Sequence, residues 1–404
     1  MPSTPREQIV LTSWPAVRDA FRSKTLRQAG YSAGAVVTAD TLLDLHGDAH
    51  RERRRVENRL FRREIFSYWE HQVLGGTIRA TLGPFIDAGY GDLAQIGYRS
   101  ALSLTATIAG IDHDPTDAPA TERLYAIVKV FSEGATIMHS TRDKDVVRSE
   151  VREAMATFEA DTFQPSLDRR RALVEQVEAG DLDADALPKD VLTTLLSHQE
   201  RLNLAPDVVL REMCLYLQAG AHSTANAFTH TVDDLLAWGV EHPDDLALAR
   251  ADIGFVQRCM HESLRLNPAS PMAYRTPLTD TELGDGTVLP EGSLVVLDLT
   301  AANRDVAIFG ASGAAFDPHR EVPDDIARWG MSFGAGAHAC VGAELDGGLE
   351  IDPNRPSDEQ LFGTVAVMAH AFLEAGGRQD PSNPPKLDPN STRTHYSSYP
   401  VVFG

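Results

Sequence analysis

The sequence predicts a mainly α fold with small β regions, carried by a single domain over residues 1–404. Three observations lead there. Residues 120–175 repeat their apolar positions at helical spacing with charged faces between them, as in EVREAMATFEADTFQ. Residues 206–240 form one long apolar stretch whose middle carries no Lys or Arg, the pattern of a helix buried on most sides. Strand signals are short and come late in the chain, with no repeats and no Pro/Ser-rich linker to separate modules.

Composition sets the outer limits. The chain is 43% hydrophobic and 24% charged, an ordinary make-up for a globular protein with a large core. A net charge of -21 argues against general nucleic-acid binding. No run approaches the ~18–20 apolar residues needed to span a bilayer, so no membrane association is expected. The opening MPSTPREQIVLTSW lacks a basic region followed by an apolar one, the mark of a signal peptide. Cys214, Cys259 and Cys340 are an odd set without metal-like spacing, which predicts no disulfide and a cytoplasmic setting.

Taken in order, the elements follow from local chemistry. The long helix starts with Pro206 and Asp207 in its first turn. A second helix is predicted over 246–266, ending before Pro268. GTVLPEGSLVVLDLTAANR has the turn-punctuated alternation of a hairpin, and THYSSYPVVF reads as a closing strand. Ser357 and Gln360 form a capping-box pattern for a helix over 357–375 that stops at Gly376.

MSFGAGAHACVG, residues 331–342, carries the clearest chemistry. A lone cysteine is most often a small buried hydrophobe. Here Gly334, Gly336 and Gly342 let the backbone come close to a neighbouring group. Neither a βαβ pattern, a C-x-x-C-H haem attachment nor a second nearby cysteine for zinc is present. The stretch fits F-x-x-G-x-H-x-C-x-G at every fixed position and strongly resembles the haem-binding signature of cytochrome P450 enzymes. That resemblance implies haem b held by Cys340 as axial thiolate, with Phe333 and Gly334 beside it and His338 near a haem propionate. A thiolate ligand pushes electron density onto iron and favours O–O cleavage.

Further stretches match the same family. HESLRLNP places Glu262 and Arg265 on one helical face, and FDPHR supplies Arg320; in isolation an E-x-x-R is a surface ion pair, but together the three resemble the family's structural triad. In HGDAHRERRR, His50 and Arg54 are four apart, resembling propionate ligands, as does Arg275 in PMAYRTP; a solvated basic helix is the plain alternative. LQAGAHSTANAF resembles the oxygen-binding segment. Ala219 and Gly220 align, but His222 stands at the usual acid, Ser223 at the usual threonine, and Thr224 follows. Ser223 is placed to bond the Ala219 carbonyl, and a histidine at its ordinary value of about 6.5 would titrate near neutrality. His222 as a merely packed polar residue is the alternative.

The match runs from about residue 9 to the C-terminus, with the N-terminus apparently shortened against the family pattern. The stretch AELDGGLEIDPNRPSDEQ after Cys340 reads as an insertion, broken by Gly347, Gly348, Pro353 and Pro356. The resemblance implies a monooxygenase that inserts one oxygen atom of O2 into an apolar organic substrate, by hydroxylation or oxidative dealkylation. Electrons would come from NAD(P)H through a ferredoxin or flavodoxin-type donor. Segments near 31–43, 131–139, 218–222, 268–273 and 394–398 correspond to pocket-facing ones and are mostly small or apolar. A peroxide-driven enzyme and a haem-thiolate sensor are the two rivals. Residues 50–64 hold seven arginines against three glutamates, and Arg51, Arg53, Arg55, Arg59, Arg62 and Arg63 are expected to offer a docking patch for an acidic donor.

Overall fold

Short apolar strands and long amphipathic helices segregate in the computed structural model, which describes residues 8–404. Residues 1–7, part of the stretch read for a leader, lie outside the described residues. The chain divides into two compact units. The first comprises the residues up to Gly30, Ala227–Ile351 and Phe362–Glu374; the second comprises Tyr31–Asn226, Asp352–Leu361 and Ala375–Gly404.

In the first unit a four-stranded sheet runs in the order Gln8–Leu11, Leu294–Asp298, Met272–Pro277, Leu26–Ala29. The first pair is parallel and the others antiparallel. Alternation sends Val295 and Leu297 into a core with Trp14, Val17, Ala20 and Phe21 of the helix Trp14–Arg22. Each such side chain contributes roughly 1.5–3 kcal/mol by leaving water. The hairpin expected over 286–304 does not form. Val288–Leu289 pairs instead with Thr281–Glu282, while Leu294–Asp298 joins the larger sheet. Pro290 has no N–H to continue the ladder, and the Gly292 N–H turns to the Pro277 carbonyl.

The helix expected over 246–266 is two helices, Pro243–Ala251 and Ile253–Leu266. Asp252 between them is extended, and its carboxylate accepts from Gly254 N at 2.8 Å, capping the second. The helix expected over 357–375 also starts late. Ser357–Glu359 is a single 3-10 turn, and the helix begins only at Thr364, running to Glu374. The Gln360 carboxamide donates to the Asp352 and Arg355 carbonyls (2.6 and 3.0 Å), closing a local turn.

After Cys340 only Ala343–Gly347 is helical before the chain departs. Buried Gln257, on the helix Ile253–Leu266, donates through Nε2 to the Leu349 carbonyl at 3.0 Å and the Phe362 carbonyl at 3.1 Å. His261, one turn on, donates to the Gly347 carbonyl at 2.7 Å. Both ends of the excursion are thereby held by one face of one helix.

The second unit is built from helices, among them Gly47–Glu57, Leu93–Ala109, Ala118–Ala135, Lys144–Phe158 and Gln164–Ala179. The amphipathic stretch thus breaks at 136–143 and then faces its core with Val147, Val151 and Phe158. The closing segment holds two strands, Tyr396–Ser398 beside Lys386–Leu387 and Pro400–Val402 between Tyr90–Asp92 and Arg378–Gln379. The long helix spans Pro206–Glu241, and within it the chain passes from the second unit to the first. Residues 212–218 and 224–232 are buried, whereas Ala219 is exposed and Gly220, His222 and Ser223 are half-buried. Between these two buried runs the helix is partly open.

Candidate active site

The cysteine loop of the first unit is shaped by its backbone. Gly334 (φ 65°) and Gly336 (φ 71°) both adopt left-handed conformations, and a Cβ on Gly336 would press on the Phe21 carbonyl. Gly334 N donates to Met331 O at 2.8 Å and Cys340 N to Phe333 O at 2.9 Å, folding the loop on itself. Phe333 packs edge-on against Trp329, ring centres 5.4 Å apart. Cys340 is exposed at the end of this loop; Cys214 and Cys259 are buried, and burial pushes both their thiols well up.

Behind the loop stands the acid–arginine set. Arg265 donates to both Glu262 oxygens at 2.8 and 2.6 Å, and Arg320 to one of them at 2.9 Å. Arg265 also binds the Asn303 and Gly313 carbonyls (2.5 and 2.6 Å), and Arg320 the Phe309 and Ser312 carbonyls (2.7 and 2.8 Å). Asn303, wholly buried, couples this set to the loop: its Nδ2 donates to Arg265 O and its Oδ1 accepts from Met331 N at 2.7 Å. Ser332 Oγ donates to Leu264 O at 2.6 Å, a second tie to the same helix.

Arg275 and His338 meet through a residue that the motifs did not single out. Gln28 Oε1 accepts from Arg275 Nη1 at 3.0 Å, and its Nε2 lies 2.9 Å from His338 Nδ1. Arg275 is buried, with its guanidinium 5.1 Å over the Phe21 ring. Gln28 is reached only by pairing Leu26–Ala29 with Met272–Pro277, where it lies opposite Arg275. That is a long-range register that no local motif carries.

In the second unit, Ser223 Oγ donates to the Ala219 carbonyl at 2.5 Å, within the exposed turn of the long helix. A Cβ on Gly220 would meet Thr105 Oγ1 at 2.6 Å, so Gly220 permits the close approach of the helix Leu93–Ala109. Thr224 is buried. His222 does not titrate near neutrality: burial, then the charges of Arg393 and Lys129, hold it down to about 3. Its Nε2 accepts from Arg393 Nη2 at 3.1 Å.

The helix Gly47–Glu57 presents His50 and Arg54. His50 is buried and held down to about 4, by burial first and then by Arg54 and His46, so it is neutral at pH 7. Arg54 is half-buried and donates to Asn58 Oδ1 at 2.9 Å. Arg53 departs from its expected place in an exposed patch. It is buried, and its Nη1 pairs with Glu212 Oε1 at 2.5 Å, because residue 53 faces the long helix while 51 and 55 face outward. Beside that pair, Tyr216 OH donates to Glu57 Oε2 at 2.5 Å. Arg51, Arg55, Arg59, Arg62 and Arg63 are exposed.

Comparison with known proteins agrees with this layout. The family model described as Cytochrome P450 matches residues 245–345. That range takes in the acid–arginine set and the cysteine loop. Over that range the chain is similar to the cytochrome P450 family. Among its relatives, cytochrome P450 monooxygenase PikC of Streptomyces venezuelae is 34% identical over 161 residues, 39% of this chain. Mycinamicin VIII C21 methyl hydroxylase of Micromonospora griseorubida is 33% identical over 160 residues, 40% of this chain. Each match spans 36% of the relative, little more than a third of its length. The fold is shared throughout: the crystal structure of CalO2 superposes with a TM-score of 0.73 at 20% identity, covering 98% of this chain and 90% of the other. P450BioI, crystallised with a hexadec-9Z-enoic acid ligated acyl carrier protein, gives 0.72 at 18% identity, with coverages of 98% and 92%.

Cytochromes P450 use haem b, and this chain's residues fit it. The one exposed cysteine of three sits on a loop that left-handed Gly334 and Gly336 fold back on itself. Arg275 and His338, joined by Gln28, form a cationic and hydrogen-bonding pair suited to a propionate.

Proposed function

We propose that this P450 is a monooxygenase that inserts one atom of O2 into an apolar organic substrate by hydroxylation or oxidative dealkylation, with residues 1–404 acting as one catalytic domain. The observation that carries this reading is the exposed Cys340 thiol on its left-handed glycine loop. Cys340 would ligate haem iron, with Phe333 and Gly334 shaping the thiolate's surroundings. Arg275, His338, His50 and Arg54 would hold propionates, and Ala219 and Gly220 would line the oxygen-binding face. Haem, when bound, supplies the activation of dioxygen. The protein's own part is to keep the thiolate hydrogen-bonded and to bring protons to a site short of water. Ser223 is the proton-handling group whose geometry is set, since its hydroxyl is fixed on the Ala219 carbonyl. Thr224 lies next to it, and His222, neutral and accepting from Arg393, serves as an acceptor rather than a cationic acid. Glu262, Arg265 and Arg320 would keep the loop in place without touching substrate.

NAD(P)H electrons would arrive through a ferredoxin or flavodoxin-type donor docking near Arg51, Arg55, Arg59, Arg62 and Arg63. A cytoplasmic setting goes with this, and among the described residues no helix is long and apolar enough to cross a membrane. The test is spectroscopic. Reduced protein with carbon monoxide is expected to show the strongly red-shifted Soret band of thiolate ligation, lost in Cys340→Ser and kept in Cys214→Ser and Cys259→Ser. The same band in Cys340→Ser ends this reading.

A further inference from the structure

Two helices of the second unit meet through a pair of rungs. On the helix Gly47–Glu57, Arg53 and Glu57 lie four apart and share a face; on the long helix Pro206–Glu241, Glu212 and Tyr216 do the same. Arg53 Nη1 pairs with Glu212 Oε1, and Tyr216 OH donates to Glu57 Oε2, each at 2.5 Å. Leu42 N also donates to Glu212 Oε1, at 2.8 Å. Both acids are 0% exposed. The second oxygen of each, Glu57 Oε1 and Glu212 Oε2, meets no hydrogen-bond partner among the described residues. Arg54 also attracts Glu57, and Arg211 attracts Glu212.

The two rungs are not equal. Glu212 faces a guanidinium and a backbone N–H, whereas Glu57 faces only a phenol and leaves one oxygen bare. An ionised carboxylate in the core is costly unless its lone pairs are met, and a protonated one is not. Burial and the Glu212 charge hold Glu57 well above the carboxylate range, and burial holds Glu212 up to about 7. The docked helices therefore keep a proton that the acids would release in water. When it leaves, two anions face each other in a dry contact, and parting the helices is what admits water to them. His50, on the same helix, works in the opposite sense. Its value is held down to about 4, so it favours opening only in acid and falls silent above its ordinary value of about 6.5.

We propose that Glu57 and Glu212 form a proton-operated latch between the helix Gly47–Glu57 and the long helix, closed while the pair holds a proton and loosened when that proton is lost in mildly alkaline solution. The latch stands on the two rungs alone. Its bearing on haem rests on the function proposed above, which makes His50 and Arg54 of the same helix propionate ligands.

Hydrogen exchange of the holoenzyme between about pH 6.5 and 9, corrected for the intrinsic base-catalysed rate, tests it. Protection of residues 47–57 is expected to fall roughly tenfold or more over that range, the worth of one pKa unit, while the helix Leu93–Ala109 keeps its own. Glu57→Gln carries the neutral form at every pH and should flatten most of the fall. Tyr216→Phe removes the hydroxyl that favours ionised Glu57, so the fall should move to higher pH. If Glu57→Gln does not fold, the wild-type profile and Tyr216→Phe still decide. Protection that does not change with pH in wild type, a fall as steep in Glu57→Gln, or a fall shared equally by Leu93–Ala109 overturns the latch. Haem transfer to an apo-globin scavenger should speed several-fold over the same range in wild type and little in Glu57→Gln. Opening without faster haem release would leave the latch standing and strip His50 and Arg54 of their proposed role.

Discussion

A hydroxyl that bonds the carbonyl one turn behind it competes with the helix's own ladder and tends to bend it. Ser223 does this to Ala219, in the turn of the long helix that is open to solvent. Thr224 lies on the buried side, so the two neighbouring alcohols are not equivalent. Ser223→Ala is therefore expected to divert more reducing equivalents to peroxide than Thr224→Ala, read as peroxide released per NAD(P)H consumed. The reverse ranking would move the proton-handling hydroxyl to Thr224. His222 obeys the same arithmetic of position. The resemblance places it where the family has an acid, but its depressed value comes first from burial and then from Arg393, a residue 171 positions away. Nothing local to LQAGAHSTANAF carries that information.

Elements are tied together by buried charge, and the ties differ in kind. Glu262 serves two arginines that in turn hold the carbonyls of 303–315, so removing the acid strands two buried cations. Glu262→Gln or Glu262→Ala is expected to cost roughly 3–5 kcal/mol in chemical unfolding. The pair of acids between Gly47–Glu57 and the long helix behaves differently. Burial and the neighbouring Glu212 charge raise Glu57 well above the carboxylate range, and burial raises Glu212 to about 7 despite Arg53. Arg53, Arg54 and Tyr216 are the other groups facing Glu57. A raised folded value means that the folded state holds a proton the unfolded chain releases. For Glu212 the contribution is full below about 4.5 and is lost as pH rises through about 7, and Glu57 is shifted in the same direction. Glu57→Gln mimics the protonated acid, so its melting temperature should fall less between pH 5 and 8 than that of wild type. An identical pH slope would mean that Glu57 is ionised in the folded protein. Local motifs reached the cysteine loop, the acid–arginine set and the long helix because each is written within a dozen residues. Gln28, Asn303, Gln257 and Arg393 act through contacts between segments far apart in sequence; the hairpin gave way when Leu294–Asp298 joined strands far off in the chain, whereas Gln360 was claimed by carbonyls five and eight residues away.

Across the whole chain the charge is -21, yet one helix and its sequel expose Arg51, Arg55, Arg59, Arg62 and Arg63. On the donor reading proposed above, an acidic electron donor would be repelled at long range and attracted to this patch at short range. The Debye length is about 8 Å at physiological ionic strength, so salt screens both effects. Arg51 also pairs with Asp48, and Arg59 lies 2.9 Å from His198 Nε2, contacts that are weak in solvent. Arg51→Glu with Arg59→Glu is expected to slow reduction by an acidic ferredoxin several-fold in low salt while substrate affinity holds. Raising the salt should close the gap. Equal rates in low salt would place the donor elsewhere.

The hold of Gln257 and His261 on the carbonyls of Gly347, Leu349 and Phe362 has a consequence for how this protein can be rebuilt. A segment clamped where it leaves and where it returns is a closed ring, and the length inside a closed ring is almost free to change. Doubling it adds only about 0.6 kcal/mol of closure entropy. New sequence spliced between Asp352 and Pro356 should therefore leave the cysteine loop undisturbed, even if the splice were a small folded domain whose termini lie close together. Gln257→Ala removes the clamp, and the same splice should then lower the melting temperature. That stretch is where a folded module is expected to be tolerated in this chain.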